Sequence, residues 1–146
     1  PSKGKKNKRY IGFLNLNSFY ESSDDSIPNP TGPFVQVRQI GDIYFISGQR
    51  GIDPENNKLV EYDIEKRTRQ TMINLKSIVE SKGGRIQDIV STTVYVTDME
   101  NFRPVINELY EEFFGKNLPT RTILEISRLN QDDIVEIEAI AHIPKK

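Results

Sequence analysis

Residues 134–143 alternate so regularly that they fix what the rest of the chain must build. Val135, Ile137, Ala139, Ala141 and Ile143 fall on one side of an extended backbone, and Glu136, Glu138, Ile140 and His142 fall on the other. A period of two with one wholly apolar side marks a strand lying on a core, and that side needs cover. Two segments have the helical period to supply it. In residues 63–82, Thr68, Met72, Leu75, Ile78 or Val79, and Lys82 form one stripe, with Asp63 as the starting cap and Gly83-Gly84 as the stop. In the second segment Phe102, Val105, Ile106, Leu109, Tyr110 and Phe113 recur at helical spacing, with Asp98 and Asn101 as candidate caps, Pro104 read as first-turn and Gly115 closing it.

Strands fill the intervals. Residues 34–38 alternate, Gly41-Asp42 turns, and residues 43–47 continue as an arm expected to be buried on both faces. Residues 53–58 read as a surface turn. The β-branched run at 89–96 is a strand, and 120–127 and 134–143 are two more, joined by a polar loop at 130–133. The order is hairpin, helix, strand, helix, strand, strand: an α+β domain with two helices on one face of a mixed sheet. The domain is expected to span residues 31–146. The polar, proline-rich stretch 21–33 sets it off from an extension over residues 1–30. There the basic cluster Lys3, Lys5, Lys6, Lys8 and Arg9 precedes an apolar run at 10–16. Asn15 and Asn17 interrupt it and no cleavage motif follows, so it reads as a solvated tail leading into an extra strand.

Composition removes several kinds of chemistry. The chain has no cysteine, which excludes disulfides, thiol nucleophiles and cysteine metal sites and is compatible with a reducing cytoplasm. Its one histidine, His142, rules out a His-rich metal centre and a two-histidine ribonuclease mechanism within one copy. A net charge of −1 supplies no general attraction to nucleic acid, and no apolar run approaches the ~18 residues of a membrane span.

The ionisable residues on the last two strands stand out. Arg121, Ile123 and Glu125 share one side of their strand, as Glu136, Glu138 and Ile140 do of theirs. On pattern alone Arg121 is a cross-strand partner for Glu136 or Glu138, and the two glutamates are a solvated face. If a second copy covered that face, Ile123 and Ile140 would gain shelter, and Arg121 and Glu136 would sit at the rim. Ser47 has no histidine placed to activate it, and Gly48 lacks the spacing of a phosphate loop.

Several of these residues lie in longer motifs: PTRTILEISRL at 119–129, VEIEAIA at 135–141, GPFVQ at 32–36, ISGQ at 46–49, DIVSTTVYVTD at 88–98, and Phe102 through Asn107 to YEEFF at 110–114. Across about residues 31–143, in order, the chain resembles the reactive-intermediate deaminases, the Rid or YjgF-like family, also described as endoribonuclease L-PSP. The resemblance implies a chorismate-mutase-like α+β fold assembled as a homotrimer with three clefts between subunits. It implies cofactor-free, metal-free hydrolysis of 2-aminoacrylate and related imines to 2-keto acids and ammonia.

Arg121 matches the family arginine that grips the substrate carboxylate, a task suited to a planar, permanently charged guanidinium. Glu136 matches the acid that positions the attacking water, while Asn107 and the backbone at Gly48 and Ile123 match cleft-lining positions. Phe34 stands where the family often has Tyr, and Ile123 where it often has Cys, so the carboxylate grip is kept while the pocket around it changes. Two other readings follow from relatives and from these departures: an RNA-directed activity supported by the basic residues at 3–9, and a keto-acid-binding module without turnover.

Overall fold

The computed structural model describes residues 24–146. The basic cluster at 3–9 and the expected extra strand at 10–16 lie outside the described residues. Strands β1 (Val37–Ile40) and β2 (Ile43–Gln49) form a hairpin about Gly41, whose φ of +58° is the left-handed conformation this tight turn needs. A second small hairpin, β3 (Ile52–Asp53) and β4 (Lys58–Leu59), surrounds the expected surface turn. Helix α1 (Ile64–Ser81), β5 (Ile89–Val96), α2 (Met99–Phe114), β6 (Thr120–Glu125) and β7 (Val135–His142) follow.

The main sheet runs β1-β2-β7-β5-β6, so the last strand lies at its centre. Among the described residues only β5 and β6 are parallel, joined by α2 as the crossover, and the other pairings are antiparallel. Val135, Ile137, Ala139 and Ala141 meet Met72, Leu75, Ile78 and Val79 of α1 and Ile106, Tyr110 and Phe114 of α2 in one core on one face of the sheet. The expected α+β architecture with two helices on one face of a mixed sheet is therefore present.

Helix boundaries follow cap chemistry. Asp63 accepts from the Lys66 amide at 2.9 Å, and Asp98 accepts from the Asn101 amide at 3.2 Å. Asn101 is thus the third residue of α2 and a donor to the cap. Lys82 is the C-cap of α1 and no part of its stripe. Beyond it, the amides of Gly83 (φ +82°) and Gly84 bond to the carbonyls of Glu80 and Val79 in a Schellman turn. Pro104 is the sixth residue of α2, in the second turn, where it removes the amide that would meet the Glu100 carbonyl.

Two expectations about faces are corrected. β2 is buried on one side only: Tyr44 and Ile46 enter the core while Phe45 is 45% exposed on the helix-free face. More consequentially, Arg121 and Ile123 do not share a face with Glu136 and Ile140. Opposed residues in neighbouring strands point the same way, and Thr92 of β5 opposes both Arg121 and Ala139. Arg121 and Ile123 therefore face the helices, and Ile123 packs on the core. Glu136 opposes Tyr95 on the other, open face. Since β5 lies between β6 and β7, Arg121 cannot be a cross-strand partner of either glutamate in one chain.

Candidate functional site

On the open face, Phe34, Gly48 and Glu136 converge on a pocket of about 140 Å³, walled also by Pro28, Gln36, Arg50 and Asn130. A bulge makes this possible. Between Ile46↔Ala139 and Gln49↔Ile137, β2 uses one residue more than β7, and the extra length carries Gly48 under the Glu136 side chain. A Cβ on Gly48 would lie 2.6 Å from Glu136 Oε1, so a side chain there would displace the carboxyl from this position. The loop before β1 closes one wall: Gln49 Nε2 donates to Gln36 Oε1 at 2.7 Å, and Gln36 Nε2 donates to the Pro28 carbonyl at 2.7 Å. Ser47 is engaged elsewhere, donating to the Val35 carbonyl at 2.6 Å.

Glu136 is half-buried, and loss of water raises its carboxyl above the ordinary glutamate range. Arg50 opposes that rise, while Asp133 and Glu138 add to it. A carboxyl so placed exchanges a proton more readily near neutrality than an exposed one.

Arg121 occupies a different setting. Its guanidinium lies 4.9 Å from the centre of the Tyr110 ring on α2, a stacking contact that orients the fork and leaves its edge donors for an anion. The Tyr110 hydroxyl donates to Thr92 Oγ1 at 2.8 Å, and Thr92 donates to the Thr120 carbonyl, so the stacking ring is tied to both β5 and β6. Burial pushes the Tyr110 hydroxyl up to about 12, against the lowering effects of Thr92 and Arg121, and it stays protonated at neutral pH. Asn107, one turn before Tyr110, is partly buried on the same side of α2. The proposed residues therefore form two groups: Phe34, Gly48 and Glu136 in one pocket, and Arg121, Ile123 and Asn107 on the helix side of the sheet.

The family model described as Endoribonuclease L-PSP matches residues 25–143. The chain belongs to that family. Relatives of this family member include a RutC family protein of Pyrococcus horikoshii, 42% identical over 118 residues that cover 81% of this chain and 93% of that one. The 2-iminobutanoate/2-iminopropanoate deaminase of Salmonella typhimurium is 40% identical over 120 residues, covering 80% and 92%. Among solved structures, RidA of an Antarctic Psychrobacter superposes with a TM-score of 0.78 at 33% identity, covering 82% of this chain and 96% of that one.

In this L-PSP chain the structure adds a charged group that pattern reading passed over. Asp133, expected in a polar surface loop, is 1% exposed. Its Oδ2 accepts from Arg50 Nη1 at 3.1 Å and its Oδ1 from Arg67 Nη1 at 2.5 Å. Arg50 also donates to the Asn130 carbonyl at 3.1 Å and Gln131 Oε1 at 2.9 Å, and Arg67 to the Val60 carbonyl at 2.7 Å. A trace was present in the sequence, because Arg67 adjoins Thr68 and Thr71 on the side of α1 that faces inward. Nothing local to Asp133 distinguishes it from Asp132. Among the described residues no group of three or more His, Asp or Glu side chains is arranged to hold a metal, and no helix is long and apolar enough to cross a membrane.

Proposed function

We propose that this chain is an enamine/imine deaminase that hydrolyses 2-aminoacrylate- or 2-iminopropionate-type intermediates to 2-keto acids and ammonia in the cytoplasm. The reading is carried by Glu136: a desolvated carboxyl with raised proton affinity over a glycine floor, in a family that includes chains named 2-iminobutanoate/2-iminopropanoate deaminase at 39–40% identity. Arg121 grips the substrate carboxylate. The enamine tautomerises to the imine by taking a proton at carbon. Water then adds to the protonated imine carbon while Glu136 takes one water proton and passes it to nitrogen. As the C–N bond breaks, the carbinolamine hydroxyl gives its proton through Glu136 to the departing ammonia and becomes the keto-acid carbonyl. A protonated imine is electrophilic enough to need no cofactor.

Arg121 and Glu136 lie on opposite faces of one sheet, so a site that uses both is built from two copies. A homotrimer with a cleft at each interface meets that requirement. The open face offers apolar area for such contacts in Phe45 and Ile140, which border a depression of about 320 Å³. The test is purified protein in a coupled reaction that generates 2-aminoacrylate from serine. Accelerated pyruvate release is expected, and no acceleration over buffer at ample enzyme overturns the reading. RNA cleavage gains nothing from the single histidine: His142 is at the far end of β7 from Glu136, about 20 Å along the strand.

A further inference from the structure

The corner that leads into β7 is shaped against the preferences of its residues. Gln131 and Asp132 are consecutive non-glycine residues in the left-handed region, with φ of +57° and +53°. Such a corner persists only where its surroundings hold it. Arg50 does so with three acceptors within four consecutive residues, at Asn130, Gln131 and Asp133. Arg67 closes the far side of Asp133 and is itself wedged against Gly51, where a Cβ would lie 2.8 Å from the Arg67 carbonyl. The side chains of Arg50, Arg67 and Asp133 are 6%, 7% and 0% exposed. Three ionic groups removed from water are costly to assemble and contribute little net stability compared with apolar residues of the same volume. Their position is informative: Arg50 and Asn130 also line the pocket that holds Glu136, three residues beyond Asp133.

We propose that the Arg67–Asp133–Arg50 unit is a positioning device for Glu136, in which Arg50 fixes the corner before β7 and sets the electrostatic field at the pocket carboxylate. The inference rests on the deaminase reading of Glu136 given above. The charged and titratable groups that bear on this carboxylate are Arg50 after β2, Asp133 at the corner, Glu138 on β7, and Tyr95 opposite it on β5. Glu138 is held by the Tyr95 hydroxyl at 2.8 Å, so its charge stays beside the pocket. Arg50 is the positive member of the set. Asp133 is the negative member whose field Arg50 and Arg67 offset.

The design predicts opposite effects from the two ends of one ion pair. Removing the cation in Arg50→Gln makes Glu136 harder to ionise, and the acid limb of the kcat profile moves to higher pH, with a several-fold activity loss that deepens as pH falls. Removing the anion in Asp133→Asn makes Glu136 easier to ionise and moves the limb to lower pH. Arg50→Lys keeps the charge and restores the profile of the native protein. A merely structural role gives loss of activity without these opposed displacements.

The experiment is the pH dependence of 2-aminoacrylate hydrolysis by the full oligomeric protein, with the Glu136 carboxyl followed in parallel by carbon NMR titration. Opposed displacements for R50Q and D133N, with recovery in R50K, support the proposal. Displacements of the same sign, or none, overturn it. Where a single variant does not fold, the triple variant R50Q/R67Q/D133N, which leaves no charge of the unit buried without a partner, decides. Arg50 outweighs Asp133 at Glu136, so its titration moves upward by less than in R50Q, and an unmoved titration overturns the inference. The NMR arm does not depend on turnover. An active E136Q variant sinks the deaminase role of Glu136, whereas an inactive E136Q beside an unmoved titration in R50Q sinks the positioning role alone.

Discussion

The Glu136 pocket and the Arg121 shelf are built on different plans. Glu136 draws its environment from four stretches of chain: the loop at 28–36, the β2 bulge, the corner at 130–133 and β7 itself. Arg121 needs one strand and the inward side of one helix, with a tyrosine beneath it. The difference follows from the work proposed for each. A guanidinium that grips a carboxylate keeps its charge almost anywhere, so it needs only orientation and access. A carboxyl that moves a proton near neutrality must have its affinity adjusted by burial and by neighbouring charges, and that takes many walls.

Disabling each half and then mixing the two variants tests whether the halves meet across copies. Arg121→Ala is expected to lower kcat/KM on the order of 10³-fold while the protein stays folded. Glu136→Gln is expected to lower kcat by roughly 10²-fold. Because the two residues sit on opposite faces, subunits of the two variants, dissociated and reassembled one to one, should regain about one quarter of native activity, the share of interfaces that pair two intact halves. Absence of any recovery in verified mixed oligomers shows that the halves do not meet across copies.

The next effects are on stability and are measured by denaturant unfolding. Asp133→Ala leaves two buried guanidiniums without their anion and should cost about 3–5 kcal/mol. Glu136→Gln should act in the other direction. The folded state raises the Glu136 carboxyl above its unfolded value, so the folded chain binds that proton more tightly. The stabilising share is present below the unfolded value and is lost as pH rises through the folded one. The variant should therefore gain stability over the native protein at pH 7, and the gain should vanish at low pH. The smallest effect is expected at Thr68, whose hydroxyl is buried without a partner among the described residues: Thr68→Val should be neutral or stabilising by up to about 1 kcal/mol, readable as a small rise in Tm.

Much of the fold was legible because its signals are local. The caps at Asp63 and Asp98, the left-handed glycine at Gly83 and the period of β7 depend on a few neighbouring residues, and each appears where the sequence places it. The misreading of the Arg121 face has one cause. Pattern gives the two sides of a strand but not which side meets the helices. β7 announces its inner side because Val135, Ile137, Ala139 and Ala141 leave no choice, whereas β6 has Arg121, Ile123 and Glu125 on one side and Thr120, Thr122 and Leu124 on the other, and neither side is plainly apolar. Its orientation is fixed only by its parallel register with β5.

The candidate site divides in the same way. Motif resemblance singles out Arg121, Glu136, Gly48, Phe34, Asn107 and Ile123 without their arrangement, and the sheet then sorts them onto two faces. Arg50, Arg67 and Asp133 meet across sequence separations of 66 and 83 residues, and no local pattern encodes such contacts. Sequence alone determined which segments are helix and strand, that β7 lies on a core, and the chemistry excluded by one histidine and no cysteine. Tertiary structure decided which face each charge occupies and which charges are buried together. Burial and opposed charge depend on residues distant in the chain but close in space, and these set the proton affinity of Glu136.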